Sequence, residues 1–88
     1  EGVSKAHRSQ YVGNVLSVQD GWAQVEVKNR FAVGDQIEII HPSGNEIITL
    51  SAMRNKKNEA INIIGGAGHT VQIPLDHKYN NALIARML

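Results

Sequence analysis

Six residues carry most of the chemistry this 88-residue sequence can offer. Lys28, Asn29 and Arg30 fall at one polar corner, and Arg54, Lys56 and Lys57 at another. The two corners hold five of the nine basic side chains. Cations with Asn29, Asn55 and Asn58 beside them as hydrogen-bond donors are the groups that phosphate contacts use. Trp22 and Phe31 lie close by as candidate stacking groups. The competing readings are plainer. Charged residues at turn tips are most often simply solvated, and a single Phe in a strand-rich domain more often plugs the core.

Other chemistries find less. His7, His41, His69 and His77 show no His-x-His or HExxH spacing that would converge on a metal. Ser43 sits in a Pro-Ser-Gly turn without a nucleophile elbow, and there is no cysteine. Glu26, Glu38 and Glu46 fall on outward strand positions, so no carboxylate pair is expected. The run Gly65-Gly66-Ala67-Gly68-His69-Thr70 has His where a phosphate-binding Walker loop needs Lys, and a strand pattern follows where that loop needs a helix. The expectation is a domain with no catalytic residue, no metal and no cofactor.

The elements that must position the two corners are short strands. Ile and Val dominate the apolar residues, and β-branched side chains suit a pleated, half-buried surface. Asp20-Gly21 supplies a hairpin turn. Val12, Leu16 and Val18 are expected on one strand face, then Ala23, Val25 and Val27, then Ile37 and Ile39. Strands are also expected over 46–53 and 59–64, with Ile61 and Ile63 in phase, and at Val71, Ile73 and Leu75. Pro74 marks an edge or a strand end. The segment 81–88 fits a last strand or a short helix. The Gly34-Asp35 pair, turning the chain directly into a strand, is a device of small closed barrels. Seven strands without a helical stripe predict an all-β fold, a small antiparallel β-barrel closed to remove its edges. Residues 1–10 read as a polar linker remnant and 11–88 as one domain, the C-terminal piece of a longer protein. A net charge of +1 gives no global pull toward nucleic acid. No apolar run reaches the ~18 residues of a membrane helix, and the lack of cysteine fits a cytoplasmic protein.

The segments YVGNVLSV, AQVEVKNRFAVGDQIEII, HPSGNE and GHTVQIPL, in that order, closely resemble the C-terminal domain of the collagenase-like peptidase family U32. More distantly, VGDQIEII after a strand resembles the second-domain barrel of translation elongation factors. The resemblance implies an accessory barrel beside a larger upstream catalytic barrel that carries the family's cysteine and histidine motifs. Many family members are known as peptidases or collagenases, and some bacterial relatives act in hydroxylating the wobble uridine of transfer RNA. The role expected of this chain is therefore non-catalytic binding, of RNA first and of a protein or peptide second. Lys28, Asn29, Arg30, Arg54, Lys56 and Lys57 are the candidate contacts. A structural docking or dimerisation module is the alternative, and a self-contained peptidase comes third.

Overall fold

Asp20 and Gly21 take φ of 54° and 80°, the pair of positive angles a type I′ turn requires. In the computed structural model, which describes residues 9–88, this turn folds β1 (Ser9–Gln19) back onto β2 (Trp22–Val27). Then come β3 (Phe31–Ala32), β4 (Gln36–Ile40), β5 (Glu46–Thr49), β6 (Ile63–Ile64), β7 (Thr70–Pro74) and β8 (Leu83–Met87). Six strands form one antiparallel sheet in the order β5-β4-β8-β1-β2-β7, and β3 pairs with β6. The architecture is all-β, a six-stranded half-barrel, with a single 3-10 turn at His77–Tyr79 and no α-helix among the described residues. No described helix is long and apolar enough to cross a membrane.

The expected alternation holds where a strand keeps one partner register. Ala23, Val25, Val27, Ile37, Ile39, Val71, Ile73 and Leu75 are all buried in one shared core. Lys28 is exposed and Glu38 half-buried. Leu50, Met53, Tyr79, Ala82 and Ile84 complete the core, and Phe31 plugs it. No polar or charged residue is buried among the described ones.

Several expectations are corrected. On β1 the buried face is Val12, Val15 and Val18, while Leu16 remains 49% exposed. Register shifts between Tyr11 and Gly13 toward β8, and between Val15 and Ser17 toward β2, each insert a residue. A bulge of this kind inverts the alternation downstream. Gly13 lies beside the first shift: a Cβ there would stand 2.6 Å from the Glu26 carbonyl oxygen. The strand expected over 46–53 ends at Thr49. That expected over 59–64 shrinks to Ile63–Ile64, with Ile63 48% exposed and Ile61 half-buried at the core margin. The segment 81–88 is strand, because β8 is clasped by β1 on one side and β4 on the other. Ser9 and Gln10, read as linker, pair with Met87 and Arg86.

β7 is an edge strand ending at Pro74. Arg54 covers that edge: its N–H donates to the Gln72 carbonyl at 2.9 Å, and the Gln72 N–H donates back at 2.8 Å. This one bridge ties the chain that follows β5 to the far side of the sheet.

Candidate functional site

The first corner is anchored before it is charged. The N–H groups of Lys28 and Asn29 both donate to the Val12 carbonyl, and Asn29 Nδ2 donates to the Tyr11 carbonyl at 2.7 Å. Asn29 therefore staples the corner to β1. Lys28 Nζ lies 3.4 Å from Glu26 Oε2, an exposed pair that solvent screens strongly. After Arg30 the chain dives into the core at Phe31 and turns at Gly34, where φ is 97°. Asp35 Oδ2 closes that turn by accepting from the Ala32 N–H at 2.9 Å. The same oxygen lies 3.5 Å from Arg86 Nε. Lys28, Arg30, Asp35 and Arg86 face a shallow hollow of about 760 Å³ whose far wall is Gly65-Gly66-Ala67.

The second corner is built differently. Asn55 Oδ1 accepts from the N–H groups of Lys57 (2.8 Å) and Glu59 (3.0 Å), and its Nδ2 donates to Glu59 Oε1 at 2.9 Å. Asn58 takes φ of 63°, and its Oδ1 accepts from Gln72 Nε2 at 3.1 Å. The amides of Asn29 and Asn55, expected as ligand donors, are used in shaping the turns, and Asn58 is engaged through its carbonyl oxygen. Lys56 and Lys57 face a smaller hollow of about 240 Å³ with Glu59, His69 and Thr70.

Arg54 departs from its group. Its guanidinium lies 3.9 Å over the Trp22 ring, beside Gln24 and Gln72, in a third depression. Phe31 is 1% exposed, which removes it as a base-stacking platform, and one face of Trp22 is already covered.

The six residues are thus not one patch. The Lys28–Arg30 corner and the Lys56–Lys57 tip nevertheless share a wall: residues 63 and 65–67 line one hollow, and 64 and 68–70 the other. The Val27 N–H donates to the His69 carbonyl at 2.9 Å and holds this loop against β2. Arg86 and His69 also face the hollows and were not legible as site residues. The only signal for Arg86 is a lone charge in the apolar run Ala82 to Leu88.

Among the described residues no three His, Cys, Asp or Glu side chains gather as metal ligands; His7 lies outside them. One serine–histidine contact does exist, with His41 Nδ1 2.7 Å from Ser43 Oγ. The same nitrogen also takes the Ser43 N–H at 3.1 Å, and Asn45 Oδ1 accepts from the His41 N–H. These bonds close the exposed β4–β5 turn. No carboxylate among the described residues hydrogen-bonds His41 to orient it, as a catalytic triad would need. Tyr79 edges against the His41 ring and donates its hydroxyl to Glu46 Oε1. That bond, with burial and the Glu46 charge, raises the Tyr79 phenol above its ordinary range, against the opposing pull of Lys78.

The chain is 43% identical over 88 residues to tRNA hydroxylation protein P of Escherichia coli K12, covering 97% of this chain and 19% of that protein. It is 38% identical over 91 residues to the Haemophilus influenzae protein of the same name, covering 99% of this chain and 20% of that one. It spans about a fifth of the length of these curated relatives. A crystal structure of the C-terminal domain of a Geobacillus thermoleovorans protein assigned to the U32 peptidases superposes with a TM-score of 0.78 at 18% identity. That match covers 90% of this chain and 92% of the other, and shows the shared fold. The model of the peptidase family U32 C-terminal domain matches residues 7–86, and the chain belongs to that family.

Proposed function

We propose that this chain is the accessory, RNA-gripping domain of a larger protein, acting beside a catalytic domain on transfer RNA in the cytoplasm. The observation that carries the reading is the placement of Lys28, Arg30 and Arg86 on one side of the 63–70 loop and of Lys56 and Lys57 on the other. A nucleic-acid strand crossing that loop would meet cations before and after it. The name of the relatives from Escherichia coli and Haemophilus influenzae supports transfer RNA as the RNA class. The domain itself performs no chemistry in this reading; a peptide ligand comes second and a self-contained peptidase last. The finer fold reading, a closed barrel like the second domain of elongation factors, is supported by the Arg54–Gln72 bridge across the gap in the sheet.

A docking role has one observation in its favour. Leu83 on β8 and Ile47 on β5 are 44% and 49% exposed. Apolar residues left outside the core suit contact with the rest of a longer protein.

The experiment that separates the two is transfer-RNA binding titrated against salt, for the unaltered chain and for Lys56→Glu/Lys57→Glu. Three to five neutralised phosphates give a log–log slope of about −2 to −3.5, from roughly −0.7 per phosphate on a single strand. Affinity on the order of 10⁻⁴ to 10⁻⁵ M is expected near physiological salt, weakened by the double reversal alike across sequences. Equal affinity of the two proteins, or no binding at low salt, would retire RNA in favour of docking.

A further inference from the structure

The larger hollow has features the smaller one lacks. Lys28, Arg30 and Arg86 all line it, and Asp35 is the one acidic residue that does. Lys28 is offset by Glu26 at 3.4 Å, so Arg30 and Arg86 against Asp35 leave a net positive charge at the hollow. Arg86 Nε is shielded from water and has no hydrogen-bond partner, although Asp35 Oδ2 is 3.5 Å away. Asp35 thus steadies the guanidinium by charge, and the terminal nitrogens of Arg86 make no hydrogen bond to protein among the described residues.

The backbone adds a second donor set. Among the described residues, none of the N–H groups of Gly65, Gly66 and Ala67 donates to a protein carbonyl or side chain. The next loop glycines, Gly66 and Gly68, take φ of 149° and 92°, which few other residues adopt. Successive free amides in such a turn form a concave anion seat. The loop fails as a Walker motif for want of a lysine and a following helix, but it lines the same hollow as the cations supplied from β8 and from the 28–30 corner.

We propose that this hollow seats one phosphodiester group of an RNA strand, between the Arg86 and Arg30 guanidinium groups and the amides of Gly65, Gly66 and Ala67. The assignment deepens the RNA reading above and rests on it. A tetrahedral oxyanion uses a planar fork of donors on one side and backbone N–H groups on the other, a demand that a point charge alone does not meet. Free phosphate shares this chemistry, so both sources must be tried.

The test is backbone amide and arginine Nε NMR of the 88-residue chain. It is titrated separately with inorganic phosphate and with a short oligouridylate, against chloride of matched ionic strength. Shifts at Gly65, Gly66, Ala67 and Arg86 Nε are expected with both probes. Arg86→Gln is expected to weaken oligouridylate binding about tenfold, as loss of a charge-assisted contact does. Arg30→Gln, which breaks no hydrogen bond among the described residues, is expected to weaken it about threefold and guards against a folding defect in the first variant. Oligouridylate shifts confined to Lys56, Lys57 and His69 would overturn this seat and leave the RNA reading standing. Shifts with phosphate alone would overturn the phosphodiester assignment and the RNA reading together, as would silence with both probes.

Discussion

The guanidinium of Arg54 lies over the indole of Trp22, 3.9 Å from the ring centre, while the Arg54 backbone exchanges two hydrogen bonds with Gln72. The arginine that sequence grouped with Lys56 and Lys57 is therefore held as a structural clamp, side chain on β2 and main chain on β7. A cation stacked on an exposed aromatic contributes about 0.5–1 kcal/mol. Arg54→Ala is expected to lower stability by about that amount in urea denaturation. It is also expected to leave RNA affinity within twofold. A loss of binding as large as that of Lys56→Glu/Lys57→Glu would return Arg54 to the interface.

Gly13 is fixed by the backbone opposite. A methyl group there would press on the Glu26 carbonyl at 2.6 Å and on a Val25 methyl at 2.8 Å. Neither can retreat, because β2 is paired on both edges. Gly13→Ala is expected to cost about 1–3 kcal/mol, the range for overpacking a tight interior. An unchanged denaturation midpoint would show that the β1 bulges absorb the methyl.

Val25 is fully buried on β2, between Val15 on β1 and Val71 on β7. An unpaired carboxylate there costs several kcal/mol, comparable to the ~5–10 kcal/mol that holds such a domain together. Val25→Asp is expected to yield an unfolded chain by circular dichroism at neutral pH. Val25→Ala should remain folded with a lower melting temperature.

Tyr79 ties the 3-10 turn to Glu46 on β5 through its hydroxyl. Folding raises the phenol's pKa, first through that hydrogen bond and then through burial and the Glu46 charge. A raised acid favours the protonated form in the folded state. Its stabilising effect is complete below the unfolded phenol's pKa near 10 and is lost as pH climbs through the higher folded value. Thermal melts between pH 8 and 11.5 should show this extra alkaline loss in the unaltered chain, and a shallower one in Tyr79→Phe. Superimposable pH profiles would mean that the hydrogen bond does not persist in solution.

The legible parts of the fold are those set by nearest neighbours. Alternation at 23/25/27, 37/39 and 71/73/75 gave the correct inward face because those stretches run without a bulge. Leu16 misled because β1 carries two register shifts, one against β8 and one against β2, a fact absent from the β1 sequence itself. For the same reason 81–88 could not be divided between helix and strand: its composition suits both, and the pairing with β1 and β4 decides. The basic corners were visible as charge, but which cations share a wall depends on the loop at 63–70 folding between them. Asn29, Asn55 and Asn58 read as ligands because sequence does not reveal that their side chains are already engaged.

In the middle of the sheet, β1, the first strand in sequence, lies against β8, the last, and β4 reaches the rest of the sheet through β8. A growing chain on the ribosome would carry β1 through β7 with the central seat empty, and β1 would lack one of its two neighbours until the final strand emerged. Pairings between such distant segments are slow, and an open strand edge meanwhile invites association with other chains. Completion of the sheet thus waits for β8, and loss of Leu83–Met87 would remove the strand that joins the two halves of the sheet.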